Sequence, residues 1–148
     1  MTKSAILAAC RSLIQQRIDT IQTRIESLVE SRDNETKSSV GDKYETGRAM
    51  MQLEIEKSQT LLGEALKLKA QLDQLPIDRE FTVVAPGCLV LTNKGPFFIS
   101  VGLGKVQVDG QTCFCISAEA PIAKALRGKQ AGEQIEFNGQ TFSVKQLQ

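Results

Sequence analysis

The 148-residue chain contains no histidine. That absence removes the commonest general base and the commonest metal ligand. It excludes every Ser-His and Cys-His nucleophilic arrangement and any Cys/His zinc site. The thiols left are Cys10, Cys88, Cys113 and Cys115. Only the last two are neighbours, and no second close pair completes a four-thiolate site. In "TCFCIS" they share one face of a strand and read as small buried hydrophobes of a reducing compartment.

Charge excess is also missing. The formal net charge is +1, with eleven Lys/Arg against eleven Asp/Glu in residues 1–76 and seven against six in 77–148. Bulk attraction to nucleic acid or to an anionic membrane is therefore excluded for either half. No segment approaches the roughly 18 apolar residues of a membrane-spanning helix. "LAAC" (7–10) looks like a lipoprotein cleavage box, but the apolar run before it falls short of the roughly 7–15 residues a signal peptide needs. The expectation is a cytoplasmic protein without a membrane partner.

What is present divides by period. Leu7, Cys10, Ile14, Ile18, Ile21, Ile25 and Leu28 are spaced 3, 4, 4, 3, 4 and 3, an amphipathic helical stripe. A second stripe runs through Met51, Ile55, Leu61, Ala65, Leu68, Leu72 and Leu75, and Pro76 ends it. Two matching stripes across a short polar connector predict an antiparallel coiled-coil hairpin over residues 1–76. Each arm would be roughly 40 Å long. So narrow a seam predicts a projecting arm rather than a compact core.

Beyond Pro76 the period becomes two. "FTVVAPGCLVLTN", "PFFISVG", "KVQV", "QTCFCIS", "EQIEF" and "QTFSVK" are rich in Val, Ile, Thr and Phe, as strands are. Asn93-Lys94-Gly95-Pro96, Asp109-Gly110 and Asn138-Gly139 separate them, the last two being favoured two-residue hairpin turns. "APIAKALRGK" (120–129) is a short helix with Pro121 in its first turn and Gly128 as its left-handed stop. Residues 77–148 thus predict a small antiparallel sheet packed on one short helix, making the chain α+β. Gly102-Leu103-Gly104 lacks a third glycine and a βαβ setting, so it reads as a loop rather than a nucleotide site.

The connector, near residues 39–47, carries Asp42 and Glu45. Their spacing fits a capping box, and residues three apart on a helix share a face. Two carboxylates so placed hold a hard divalent cation weakly, unless a partner completes the site. Arg17, Arg24, Arg32, Lys37 and Lys43 read as a solvated face offset by Asp19, Glu26 and Glu30.

A helical hairpin with G-D-x-x-E at its tip ("GDKYET", 41–46), followed by a β-rich domain, resembles the Gre transcript cleavage factors of bacterial RNA polymerase. "APIAKALRGKQAGEQIEFNGQTFSV" (120–144) is similar to their carboxy-terminal signature S-P-I-A-x-A-L-x-G-K-x-x-G-D-x-V. The resemblance implies an FKBP-like carboxy-terminal domain and a monomer that enters the polymerase secondary channel. There the tip, Asp42 and Glu45, helps hold a Mg²⁺ shared with the polymerase. Cleavage of the backtracked nascent RNA near its 3′ end follows, the polymerase being the enzyme and this chain its accessory factor. Family tips usually continue E-N-A-E-Y, whereas this one continues Glu45-Thr46-Gly47-Arg48-Ala49, and Ala120 replaces a capping Ser. Those departures define the alternative, a Gre-like polymerase regulator or inhibitor that does not cleave. A third expectation is a helical adaptor, which an exposed apolar stripe would favour.

Overall fold

A computed structural model of the chain describes the backbone of residues 1–38 and 42–148 and the side chains of 1–35 and 45–148. The architecture is α+β. Helices α1 (Lys3–Ser38) and α2 (Asp42–Asp73) are followed by strands β1 (Leu89–Thr92), β2 (Gly95–Ser100), β3 (Gly104–Val108) and β4 (Gln111–Ser117). Helix α3 (Pro121–Leu126) and strands β5 (Gln134–Phe137) and β6 (Gln140–Leu147) complete the chain. The residues form two compact units, one of 1–12 with 70–148, the other of 13–69.

In the unit of residues 13–69, α1 contains neither Gly nor Pro, and nothing within it interrupts the helical hydrogen bonds. Ile14 and Ile18 of α1 and Ile55, Ser58 and Ala65 of α2 are buried. The α2 stripe differs from expectation at one place. Leu61 is 52% exposed, and the inward positions are Ser58 and Leu62. Steps of three, four and three from Ile55 keep these two on the buried side, while Leu61 turns about 100° away from Leu62. Among the described residues of this unit, side-chain bonds from Arg32 to Gln52, Arg24 to Glu54 and Lys69 to Gln15 join the helices. Numbers fall along one helix as they rise along the other, so the two run antiparallel.

The other unit is built on a six-stranded sheet in the order β3-β4-β2-β1-β6-β5. The expected antiparallel sheet is corrected to a mixed one: β2 and β4 run parallel, with Phe98 opposite Cys115. After Ser100 the chain crosses the end of β4 in three residues, returns as β3 and reverses into β4. Gly102 belongs to this crossing, and Gly104, with φ +73°, begins β3. Both dipeptide turns form as expected, for Asp109, Gly110, Asn138 and Gly139 all have positive φ, the geometry of type I′ hairpins.

Residues 81–88, expected as the start of a long strand, lie outside the sheet. Val84 exchanges backbone bonds with the segment after α3, donating to Lys129 and accepting from Gly128. Pro86 has no N–H to give a ladder, and Gly87 has φ +92°, so the strand cannot extend through them. Each sheet face has its own cover. Val90, Phe97, Ile99, Phe142 and Val144 pack with Ala123 and Leu126 of α3, where Phe97 stacks on Phe114 at 5.0 Å. Leu89, Phe98 and Cys115 share the opposite face through their register, and Cys10 of α1 touches Cys115 there.

Candidate carboxylate site at the start of the second helix

Asp42 is the first residue of α2 and Glu45 lies one turn on, so the backbone places both on one side of the helix start. The positive end of the helix dipole favours carboxylates in this turn. Glu45 is exposed. Its expected capping box with Asp42 depends on a side chain outside the described residues. The same holds for the tip residues 39–41 and for the side chains of Lys37, Lys43 and Tyr44.

A third carboxylate, not singled out from sequence, approaches the same turn. A Cβ placed on Gly47 would lie 3.0 Å from Glu35 Oε1 and 3.4 Å from its Cδ. Glu35 of α1 therefore lies across the bare backbone of α2, two residues from Glu45. Helix α2 runs unbroken through Gly47.

Cations near this turn have definite partners. Arg32 Nη1 donates to Gln52 Oε1 at 2.8 Å, and its Nε pairs with Asp33 at 3.3 Å. Arg24 pairs with Glu54 at 3.1 Å, across the helices rather than along its own. Lys57 and then Arg24 hold the Glu54 carboxyl below the usual carboxylate range. Arg17 is exposed beside Leu13, Gln16, Thr20 and Ile21.

Carboxylate oxygens are the hard donors that Mg²⁺ prefers, and two of them fall short of its octahedral demand. Among the described residues, no three His, Cys, Asp or Glu side chains converge as metal ligands. Of the two expected carboxylates, only the Glu45 side chain lies among the described residues, and it is exposed.

The 120–144 segment forms α3, a glycine stop at Gly128 (φ +78°) and the β5–β6 hairpin. Ala120 caps α3 without a side-chain hydrogen bond. On α2, Met50, Leu53 and Leu61 are 63%, 58% and 52% exposed, and at 100° per residue they fall within an arc of about 80°. Among the described residues no helix is long and apolar enough to cross a membrane. Comparison with known proteins finds no match, whether to a family model, a curated protein or a solved structure.

Proposed function

We propose that this chain is a Gre-type accessory factor of bacterial RNA polymerase, with α1 and α2 forming a coiled-coil hairpin and the sheet unit an FKBP-like domain. Its work is to stimulate hydrolysis of backtracked nascent RNA in the cytoplasm, acting as a monomer through the secondary channel. The observation that carries this reading is the exposed Glu45, within "GDKYET", in the first turn of a 32-residue helix. The 120–144 signature, folded as helix, glycine stop and hairpin, supports it independently.

In this mechanism Asp42 and Glu45 deliver negative charge held close to one helix start, and the polymerase supplies the remaining ligands and the RNA. A Mg²⁺ bound there supplies electrostatic stabilisation of the phosphoryl oxygens. The chain's own contribution is placement: a short carboxylate on a helix loses less freedom on binding than one on a loop. Glu45 also orients the attacking water by accepting its hydrogen bond.

The experiment is transcript cleavage in stalled elongation complexes, with Asp42→Asn and Glu45→Gln as variants. Wild type shortens the RNA from its 3′ end, and the double variant does not. Equal cleavage by the double variant ends the proposal.

A second reading shares the fold and the channel but omits cleavage. Exposed Arg48, one turn from Glu45, favours it by opposing the local negative charge. Protein that displaces an active factor from polymerase yet releases no RNA selects this reading. The exposed Met50, Leu53 and Leu61 favour an adaptor that pairs with another protein's helix, and self-association of the chain would select that one.

A further inference from the structure

Three of the four cysteines gather in one place. Cys10 Sγ of α1 lies 3.4 Å from Cys115 Sγ of β4, though 105 residues separate them. Cys113 lies two residues earlier on the same face of β4. All three are fully buried. Cys88 is also buried, but its thiol donates to the Leu89 carbonyl instead.

We propose that Cys10 and Cys115 are a disulfide-forming pair, a site of reversible oxidation by hydroperoxides that fastens the first turns of α1 to β4. The pairing is specific on geometric grounds. A disulfide requires Cβ atoms roughly 3.5–4.5 Å apart, which residues i and i+2 of one extended strand do not offer, so Cys113 and Cys115 are excluded. Cys10 comes from a different element, and its Sγ lies 3.4 Å from that of Cys115. Closing the contact from 3.4 Å to the bond length of about 2.05 Å is a rotamer-scale movement.

The chemistry balances in two steps. The Cys10 sulfur attacks the peroxide, breaking the O–O bond, taking one oxygen as a sulfenic acid and releasing water, or an alcohol from an organic peroxide. The Cys115 sulfur then attacks the sulfenic sulfur, forming S–S and expelling the oxygen as a second water that carries the thiol proton. Two thiols are oxidised by two electrons and one peroxide is reduced. The contact with Cys10, the neighbouring Cys113 and burial push the Cys115 thiol up, while the contact with Cys115 draws Cys10 down. Cys10 sits in the first turns of α1, so opening of that segment presents its sulfur to the peroxide. Because both thiols are buried, peroxide reaches them through local opening of the helix start.

The test treats the full chain with hydrogen peroxide under native conditions, alkylates free thiols after denaturation, and maps digested peptides by mass. The expected result is a Cys10–Cys115 linked peptide lacking two hydrogens, loss of two of the four free thiols, and their full return with dithiothreitol. Cys88 and Cys113 stay alkylatable. The Cys113→Ser variant keeps the link, whereas Cys10→Ser and Cys115→Ser lose it. Should the latter two fail to fold, wild type and Cys113→Ser still decide. The proposal is overturned if wild type forms no Cys10–Cys115 linked peptide, if Cys113 is the linked partner, or if Cys113→Ser abolishes the bond.

Discussion

Gly47 and Gly63 both sit inside α2 and differ in what surrounds them, so replacing each with alanine isolates the placement of Glu35. Nothing lies within 4 Å of a Cβ built on Gly63. Gly63→Ala should therefore collect the whole difference in helix propensity, about 0.8–1.0 kcal/mol, part of it by restricting the unfolded chain. For a protein of this size that is a rise of about 3 °C in Tm. A Cβ on Gly47 meets Glu35 Oε1 at 3.0 Å, tighter than ordinary contact, so Glu35 must swing aside and lose its position over α2. Gly47→Ala should gain visibly less than Gly63→Ala, and Glu35→Ala in the Gly47→Ala background should recover part of the shortfall. Melting followed by helical circular dichroism, with urea titration as a second measure, reads all four proteins. Equal gains at both glycines, with no coupling to Glu35, would refute this account of how the helix start is packed.

Further outcomes follow from single contacts. Phe98 has no exposed surface and lies between Leu89 and Cys115 in register, so Phe98→Ala should cost about 3–5 kcal/mol, read by urea denaturation. Ala120→Ser places a hydroxyl on an extended cap (φ −61°, ψ 143°) within reach of the Ala123 N–H and should stabilise by about 1 kcal/mol; no rise in Tm contradicts that capping geometry. Lys57 and Arg24 depress the Glu54 carboxyl below its ordinary 4.5. Its stabilising contribution is thus complete above that pH and lost as pH falls through the lowered value. Glu54→Gln should narrow its deficit against wild type on acidification below about 4.5, and a deficit constant across that range would contradict the sign.

The strands were legible because alternation and turn chemistry are local. "DG" and "NG" dictated both tight hairpins, and Pro121 and Gly128 bounded the short helix. The parallel β2–β4 pairing was not legible, because nothing in "ISVGLGK" specifies that the chain passes over a strand not yet made. Ser58 is hard to read as a seam residue because its polarity outweighs its spacing, and the apolar side chain of Leu61 sits at a position the spacing turns outward. Residues 81–88 carry strand-forming side chains, but Pro86 and Gly87 remove the donor and the backbone geometry a ladder needs. At the site, Asp42 and Glu45 emerged from motif spacing. Glu35 did not, since its approach to Gly47 exists only once the helices are side by side. Likewise, nothing local pairs Cys10 with Cys115.

The measurement closest to the central claim follows the length of radiolabelled RNA in backtracked elongation complexes as this protein is titrated in at fixed Mg²⁺. The account predicts dose-dependent release of short 3′ fragments and resumed elongation, both abolished by Asp42→Asn with Glu45→Gln although the variant still competes for polymerase. RNA that stays full length with wild type bound, or shortens as fast with the double variant, would contradict it.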